Sequence, residues 1–254
     1  GSLVPIVLAP TTAGTGSESQ SFALISDPVT HQKMACGDKK ALPRAALLDP
    51  ELTLTLPRGV TAATGLDAIS HAVESFVTTA RNSTSRELSA RAWQLLSRNF
   101  RRVLDAPGDL EARSGMLLGA SLAGAAIEHS MLGAAHSAAN PLTARLGVVH
   151  GLAVALLLPH VVRFNAPAAG EDYRELLDLA ALPFRAPCDP AEALATWLES
   201  ALAAAGLPSK LEDLGLDAAT CEEMSLEASR QWTARFNPRP VAAADFLGIY
   251  RRAI

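Results

Sequence analysis

Two patterns of apolar positions divide the chain. In the first fifty residues, short apolar runs are separated by turn residues, which predicts short strands at LVPIVLAP (3–10), SFALISD (21–27) and RAALLDP (44–50), the first of them buried. From about residue 52, Ala and Leu recur at three- and four-residue spacings, which predicts eight to ten helices. Breaks between helices are predicted at Pro107-Gly108, Pro167, 187–190, 206–208 and 237–240.

The two patterns predict a mainly α protein with a β-rich segment over residues 1–51 and an all-helical domain over residues 52–254. A run of strands this short, beginning at residue 3, is poor material for an independent sheet. We therefore expect the segment to be the trailing edge of a larger domain.

Composition supports a globular chain with a sizeable core, since 49% of the 254 residues are apolar and 19% are charged. The formal net charge is -4 and there is no basic stripe, which argues against nucleic acid as a partner. Three scattered cysteines indicate a reducing compartment. The longest apolar run, 148–162, contains two histidines and is too short to span a bilayer, so we expect a soluble cytoplasmic protein with no membrane partner.

The stretch GLDAISHAVESF (65–76) combines an apolar helical pattern with two polar side chains. Asp67 and His71 are four residues apart and therefore project from one face of a helix. Among Leu66, Ile69 and Val73, an acid and an imidazole need a partner, because burying them unpaired is costly. A salt bridge between them and a shared metal ion both satisfy this requirement.

Two further histidines, His136 and His150, are surrounded by small residues that leave room for a ligand. Together with Asp67 and His71 they supply one carboxylate and three imidazoles, a suitable set for Fe(II) or Zn(II) with one coordination position left for substrate. An alternative is a structural helical domain that serves as an oligomerisation module, with these histidines as hydrogen-bonded core residues. The other three, His31, His129 and His160, are interpreted as exposed or structural.

Four ordered segments resemble signatures of the iron-containing alcohol dehydrogenase family, which has the dehydroquinate synthase-like fold. They are TTAGTGSE (11–18), LLDPELTLTLP (47–57), TGLDAISHAVESF (64–76) and HSMLGAAHSAANPLTARLGVVHGLAVALLLPHVVRFN (129–165), and the end of the chain, NPRPVAAADFLGIYRRA (237–253), resembles the family's C-terminal helix. The resemblance implies that residues 1–51 are a remnant of an α/β nucleotide-binding domain. It also implies that the metal ligands are Asp67, His71, His136 and His150.

The resemblance further implies a nicotinamide cofactor, either NAD or NADP. Small side chains and free backbone N–H groups in the TTAGTGSE loop suit close contact with the nicotinamide end of the cofactor. The implied cofactor-binding residues are Thr11, Thr12, Gly14, Thr15, Gly16, Ser17 and Lys33.

Two departures from the family pattern affect the expected chemistry. The family's Gly-Gly-Gly-Ser phosphate loop is missing from this sequence, and Asn140 stands where many members have a proton-relaying histidine. Asparagine orients a hydroxyl or a water molecule but does not exchange a proton near neutral pH. Asn140 is therefore the candidate catalytic residue for orienting substrate or water.

The implied activity is reversible oxidation of a small alcohol to an aldehyde or ketone, in a protein for which a homodimer is also expected. Three situations stay open at this point. The chain is a fragment or engineered excerpt of a complete dehydrogenase, a natural short form whose partner chain supplies the nucleotide domain, or a metal-binding helical domain without redox activity of its own.

Overall fold

The computed structural model describes residues 4–26, 33–182 and 188–254. Four short strands occupy the N-terminal part: β1 (Val7–Leu8), β2 (Phe22–Ser26), β3 (Lys33–Gly37) and β4 (Ala45–Ala46). β1 pairs with β4 in parallel, and β2 pairs with β3 as an antiparallel hairpin. The strands are thus where the apolar runs predict them, with β3 in addition.

The expectation that the first strand is buried is wrong. In the described part of 3–10, Val4 is 81% exposed and Val7 is 58% exposed. The reason is that, among the described residues, β1 pairs only with the two residues of β4, and a two-stranded sheet of this size leaves Val4 and Val7 uncovered. Hydrophobic content predicts a strand's interior position only when another layer is there to pack against it.

Eight α-helices follow residue 52 in the described part of the chain, as the Ala and Leu spacing predicts. They are α1 (Arg58–Val77), α2 (Ser83–Asp105), α3 (Leu110–Glu128), α4 (Ala134–Leu146), α5 (His150–Leu179), α6 (Pro190–Ala205), α7 (Ala218–Arg230) and α8 (Ala243–Ala253). Side-chain caps begin several of them: Asn82 and Ser85 form a capping box on α2, and Asp109 accepts a hydrogen bond from the Ala112 amide of α3. The predicted fold class, mainly α, is confirmed.

Helix α1 is the centre of the helical domain. Its residues from Gly65 to Val77 are all buried, because α2, α3 and α5 pack around it. A helix that is buried all round must satisfy every polar side chain it carries from within the protein. Any acid or histidine on α1 therefore has to find its partner on a neighbouring helix or in a bound ion.

The predicted break at Pro167 is wrong, since α5 runs for 30 residues through both Pro159 and Pro167. Beyond Pro167, the buried residues Tyr173 and Leu176 pack the helix into the core, and the indole of Trp93 donates a hydrogen bond to the Leu176 carbonyl at 2.6 Å. This packing outweighs the cost of a proline inside a helix. α5 is long and apolar enough to cross a membrane, but 72% of its most apolar window is buried inside the fold, as in a core helix of a soluble protein.

The loop over residues 11–17 is fastened to the helical domain through glycine contacts. Gly16 has φ +62°, and a Cβ there would lie 2.6 Å from the Ala120 carbonyl oxygen of α3. A Cβ on Gly124 would overlap with the Gly16 carbonyl from the other side. The loop and α3 therefore approach each other backbone to backbone, which only glycine permits.

We expect the Gly124→Ala substitution to lower the free energy of unfolding by about 1–3 kcal/mol, because the added methyl group has no space against Gly16. Gly170→Ala is the matched control, since Gly170 also lies in a helix but has open space around its Cβ position. The control should be neutral or stabilising by up to about 1 kcal/mol. Urea unfolding of both variants measures the difference, and equal stability of the two would contradict the contact.

Candidate metal centre and the cleft beside it

Three polar side chains lie on one face of α1. Asp67, His71 and Glu74 are spaced by four and three residues, so they follow each other along the helix with 3.6 residues per turn. All three are buried, with exposures of 5%, 5% and 3%. The face points towards the beginnings of α4 and α5.

The starts of two other helices bring the remaining histidines to this face. His136 lies in the first turn of α4, and His150 is the first residue of α5. A Cβ on Gly151 would overlap with the Ala63 carbonyl, so the start of α5 lies directly against α1. Residues that are 83 positions apart in sequence, from Asp67 to His150, are neighbours for this reason.

A buried amide pair holds the start of α4. Asn165 of α5 and Asn237 exchange hydrogen bonds of 3.1 and 2.7 Å through their side chains. Asn237 also accepts a hydrogen bond from the Ala134 amide at 3.3 Å. The position of His136, two residues further, therefore depends on contacts from the C-terminal part of the chain.

Three imidazole nitrogens surround one carboxylate oxygen. The Nε2 atoms of His71, His136 and His150 lie 3.5, 3.6 and 3.9 Å from Oδ1 of Asp67. These distances are too long for good hydrogen bonds. They match the separation of about 3.4 Å between two ligand atoms that share one tetrahedral ion at about 2.1 Å.

A second observation indicates that these ligand atoms suit a cation. Oδ1 of Asp67 and Nε2 of His136 are buried, and neither has a hydrogen-bond partner in the described part of the chain. The nearest ligand atoms of Asp67, His71 and His136 all lie within 4.8 Å of one another. Buried polar atoms without partners are costly, and a shared cation would satisfy these atoms, so the group fits a metal ion.

Glu74 binds the other side of His136. Its Oε2 lies 2.6 Å from Nδ1 of His136, and its Oε1 accepts a hydrogen bond from the Ala135 amide at 2.7 Å. A carboxylate in this position fixes the tautomer and the ring orientation, so that Nε2 of His136 is left to face Asp67. The positive end of the α4 dipole further stabilises the Glu74 charge.

The charges of the cluster are strongly coupled. Burial alone would raise the pKa of Asp67, but attraction by His71 and the interaction with His136 outweigh it and hold that pKa below its ordinary value. Burial opposes charge on His136, yet Asp67 and Glu74 together raise its pKa to about 9. Burial lowers the pKa of His71 despite Asp67. Two buried carboxylates thus create a site that favours positive charge.

An apolar cleft opens beside the cluster, and the space between its walls, counted together with the part that is open to solvent, is about 780 Å³. His136 and His150 form one end of this cleft. The remaining lining residues come from β2 and the residues before it, the end of α3, the segment between α3 and α4, α4 itself and the segment before α8: Gln20, Phe22, Leu24, Ile127, Glu128, Met131, Leu132, Asn140, Trp232 and Thr233. A pocket of mainly apolar walls with a polar end is typical of a small-molecule site.

Asn140 lies on the wall of this cleft, one helical turn beyond His136. Its side-chain nitrogen donates a hydrogen bond to Oε1 of Gln231 at 3.1 Å. The structure therefore places Asn140 beside the histidines, where the sequence-based hypothesis needs it. Its role in orienting substrate or water stays a prediction.

The implied cofactor loop lies against the same helices. Gly14 and Gly16 are buried, Thr12 is half-buried, and Thr11, Thr15 and Ser17 are exposed. A Cβ on Gly14 would lie 2.7 Å from the Cβ of Thr64 on α1, and the Gly14 backbone interacts with His71. Nicotinamide binding by this loop stays a prediction, and the side chain of Lys33 and the whole of His31 lie outside the described residues.

Sequence reasoning did not assign three features of the site. The role of Glu74 was missed, although its place seven residues after Asp67 puts it on the same face of α1. Trp232 and Phe22 line the cleft without any local sequence signal. Of the other histidines, His129 is exposed at the end of α3, and His160 lies half-buried on α5 with its pKa lowered to about 4 by burial and by Arg163.

The fold and the site define a helical domain built around a buried cluster with the chemistry of a metal centre. Residues 61–254 match the model of the C-terminal domain of the Fe-containing alcohol dehydrogenase family, and residues 1–50 match the model described as iron-containing alcohol dehydrogenase. The chain therefore belongs to the iron-containing alcohol dehydrogenase family, as its motifs indicate.

Individual relatives agree with this assignment. The chain is 32% identical to 1,3-propanediol dehydrogenase of Klebsiella pneumoniae, over 99% of this chain and 65% of the relative. It is 31% identical to NAD-dependent methanol dehydrogenase of Bacillus methanolicus, over 99% of this chain and 67% of that protein.

Among solved structures, a 1,3-propanediol oxidoreductase is similar with a TM-score of 0.95 and 32% identity, over 100% of this chain and 67% of that one. The chain thus spans about two thirds of the length of the relatives that it matches.

We expect the Glu74→Gln substitution to weaken Zn(II) binding by about 10- to 100-fold, because the neutral amide no longer holds His136 with a buried negative charge. Calorimetric titration of the metal-free protein with Zn(II) measures this affinity. Glu87→Gln is the control, since Glu87 is exposed on α2 and should leave the affinity unchanged. An unchanged affinity in a folded Glu74→Gln protein would show that Glu74 does not support the centre.

Proposed function

We propose that the chain works as a metal-dependent alcohol dehydrogenase that interconverts an alcohol with an aldehyde or ketone by means of NAD or NADP. The observation that carries the proposal is the approach of three imidazole nitrogens to Oδ1 of Asp67, beside a cleft large enough for a small molecule. The family membership and the nicotinamide named in the methanol dehydrogenase relative support it.

In this proposal Asp67, His71, His136 and His150 hold Fe(II) or Zn(II). The ion, when bound, supplies Lewis acidity towards the substrate oxygen, and hydride transfer belongs to the nicotinamide. Glu74 keeps His136 in the tautomer whose Nε2 faces the ion.

Asn140 sets the route of the substrate proton. Because an amide does not titrate near neutral pH, Asn140 orients the hydroxyl or a water molecule and does not take the proton itself. The proton then leaves through water or through the cofactor ribose. The loop over residues 11–17, which is held against α1 and α3 by Gly14 and Gly16, presents exposed Thr15 and Ser17 to the cofactor.

A second candidate is a metal-binding helical domain without redox activity of its own, either non-catalytic or dependent on a partner chain for nucleotide binding. The observation that favours it is the length of the match, since the chain covers about two thirds of its relatives' length. The two candidates agree on the metal and differ on the nicotinamide, so binding of NAD or NADP separates them.

We expect the purified chain to contain about one equivalent of Fe or Zn, and His136→Ala to lose most of it, because His136 supplies a buried ligand that no neighbouring side chain replaces. Elemental analysis by mass spectrometry measures the metal content. The control is His129→Ala, whose exposed side chain lies outside the cluster and should retain the ion. Equal metal content in both variants would refute the proposed ligand set.

We expect the metal-loaded chain to bind NADH or NADPH in calorimetry and to oxidise it when an aldehyde is added. Binding without turnover would place the defect in the chemistry rather than in cofactor recognition. No detectable binding of either nucleotide would reject an autonomous dehydrogenase and leave the metal-binding domain as the function.

A further inference from the structure

We propose that the substrate of this site is an alcohol or aldehyde with a single polar end and an uncharged, apolar tail, and that the tail lies in the apolar cleft. The inference rests on the proposed function, because it takes the end of the cleft formed by His136 and His150 as the place of the reacting oxygen. It goes beyond that function because it states the chemistry of the part of the substrate that does not react.

The walls that face away from the histidines are apolar. Phe22 and Leu24 reach the cleft from β2, Met131 from the segment after α3, and the indole of Trp232 from the segment before α8. Phe22 and Leu24 are 50% and 58% exposed, although both are large apolar side chains. A tail that covers them would remove this apolar surface from water and gain the corresponding free energy.

Two of the polar side chains on the walls, Glu128 and Thr233, are already bonded to the protein. Both carboxylate oxygens of Glu128 accept hydrogen bonds of 2.8 Å from Ser21, one from its amide and one from its hydroxyl. The Thr233 hydroxyl pairs with that of Ser137 at 2.6 Å. These polar atoms already have partners in the fold, so a second hydroxyl group of the substrate that is placed against them would lose water without gaining an equivalent bond.

The charge of the cleft disfavours anionic substrates. The described residues that line it include no lysine and no arginine, whereas Glu128 contributes a carboxylate. A substrate with a carboxylate, phosphate or sulfonate tail needs a cationic or multiply donating partner to offset its desolvation. Among the described residues of the cleft, positive charge is found only at the histidine cluster with its proposed ion, which is the end where the reacting oxygen binds.

A series of six-carbon ligands tests the inference, with the fluorescence of Trp232 as the readout. The ligands are 1-hexanol, 1,6-hexanediol and 6-hydroxyhexanoate, titrated into the metal-free and the Zn(II)-loaded chain. We expect 1-hexanol to bind about tenfold more tightly than the diol, and the hydroxy acid to bind least. The three ligands have the same chain length and differ only in the polarity and charge of the tail end. From 1-propanol to 1-hexanol, affinity should rise about threefold to fourfold per methylene group.

Variants identify the cleft as the place of binding. Met131→Gln, a change of similar size that adds an amide to the wall, should weaken 1-hexanol binding by about tenfold and reduce the preference over the diol. Met34→Gln is the matched control, since Met34 is exposed on β3 and is not part of the cleft, and it should bind as the parent does. Trp232→Phe should abolish the fluorescence change while 1-hexanol binding persists in calorimetry.

The outcomes separate the inference from the proposed function. Preferential 1-hexanol binding to a chain that neither takes up metal nor turns over supports the apolar tail and refutes the dehydrogenase. Turnover with equal or higher kcat/KM for 1,6-hexanediol or 6-hydroxyhexanoate supports the dehydrogenase and overturns the apolar tail. Equal loss of binding in Met131→Gln and Met34→Gln would also overturn it, because binding would then not depend on the cleft.

Discussion

The burial of two carboxylates on one helix is the constraint on which this structure depends. Asp67 and Glu74 both lie on α1, which is covered by other helices, and the described residues pair neither of them with a lysine or an arginine. Such charges are tolerated in a protein interior only when cations or hydrogen-bond donors offset them. Three histidines and the amide of Ala135 meet this requirement in part, and a divalent ion between the ligand atoms would meet the rest.

The helical packing follows from this requirement. α4 and α5 both begin at the polar face of α1, which brings His136 and His150 to it and directs the positive ends of two helix dipoles at the carboxylates. Glycines make the approach close enough, since a side chain on Gly151 would collide with α1. The Asn165–Asn237 pair ties the start of α4 to the C-terminal part of the chain. Stability and site geometry therefore share the same contacts.

The polar cluster and the apolar cleft differ in the interactions that they offer to a ligand. The polar cluster is buried and has a geometry that suits one shared ion, whereas the cleft beside it is mainly apolar and its side chains Glu128 and Thr233 are bonded to the fold. In the proposed function, a substrate is held by one strong polar interaction at its reacting end and by area-dependent apolar contact along its tail. Asn140 lines the cleft one helical turn beyond His136, and its role in orienting substrate without proton exchange stays a prediction.

Local patterns in the sequence determined the mainly α architecture and the placement of Asp67 and His71 on one helix face. They also supplied the ordered motifs that indicate the family. Spacing along one helix and the order of motifs are properties of the chain itself. The predicted strand burial at 3–10 and the break at Pro167 were wrong, since both depend on which layer packs against the segment. The ligand and cofactor roles of the predicted site residues stay predictions. The motifs also predicted that His136 and His150 meet Asp67, and the structure brings them together. Only the tertiary structure decided that Glu74 orients His136 and that Phe22 and Trp232 share one cleft, because these contacts arise from helix packing and leave no local signal.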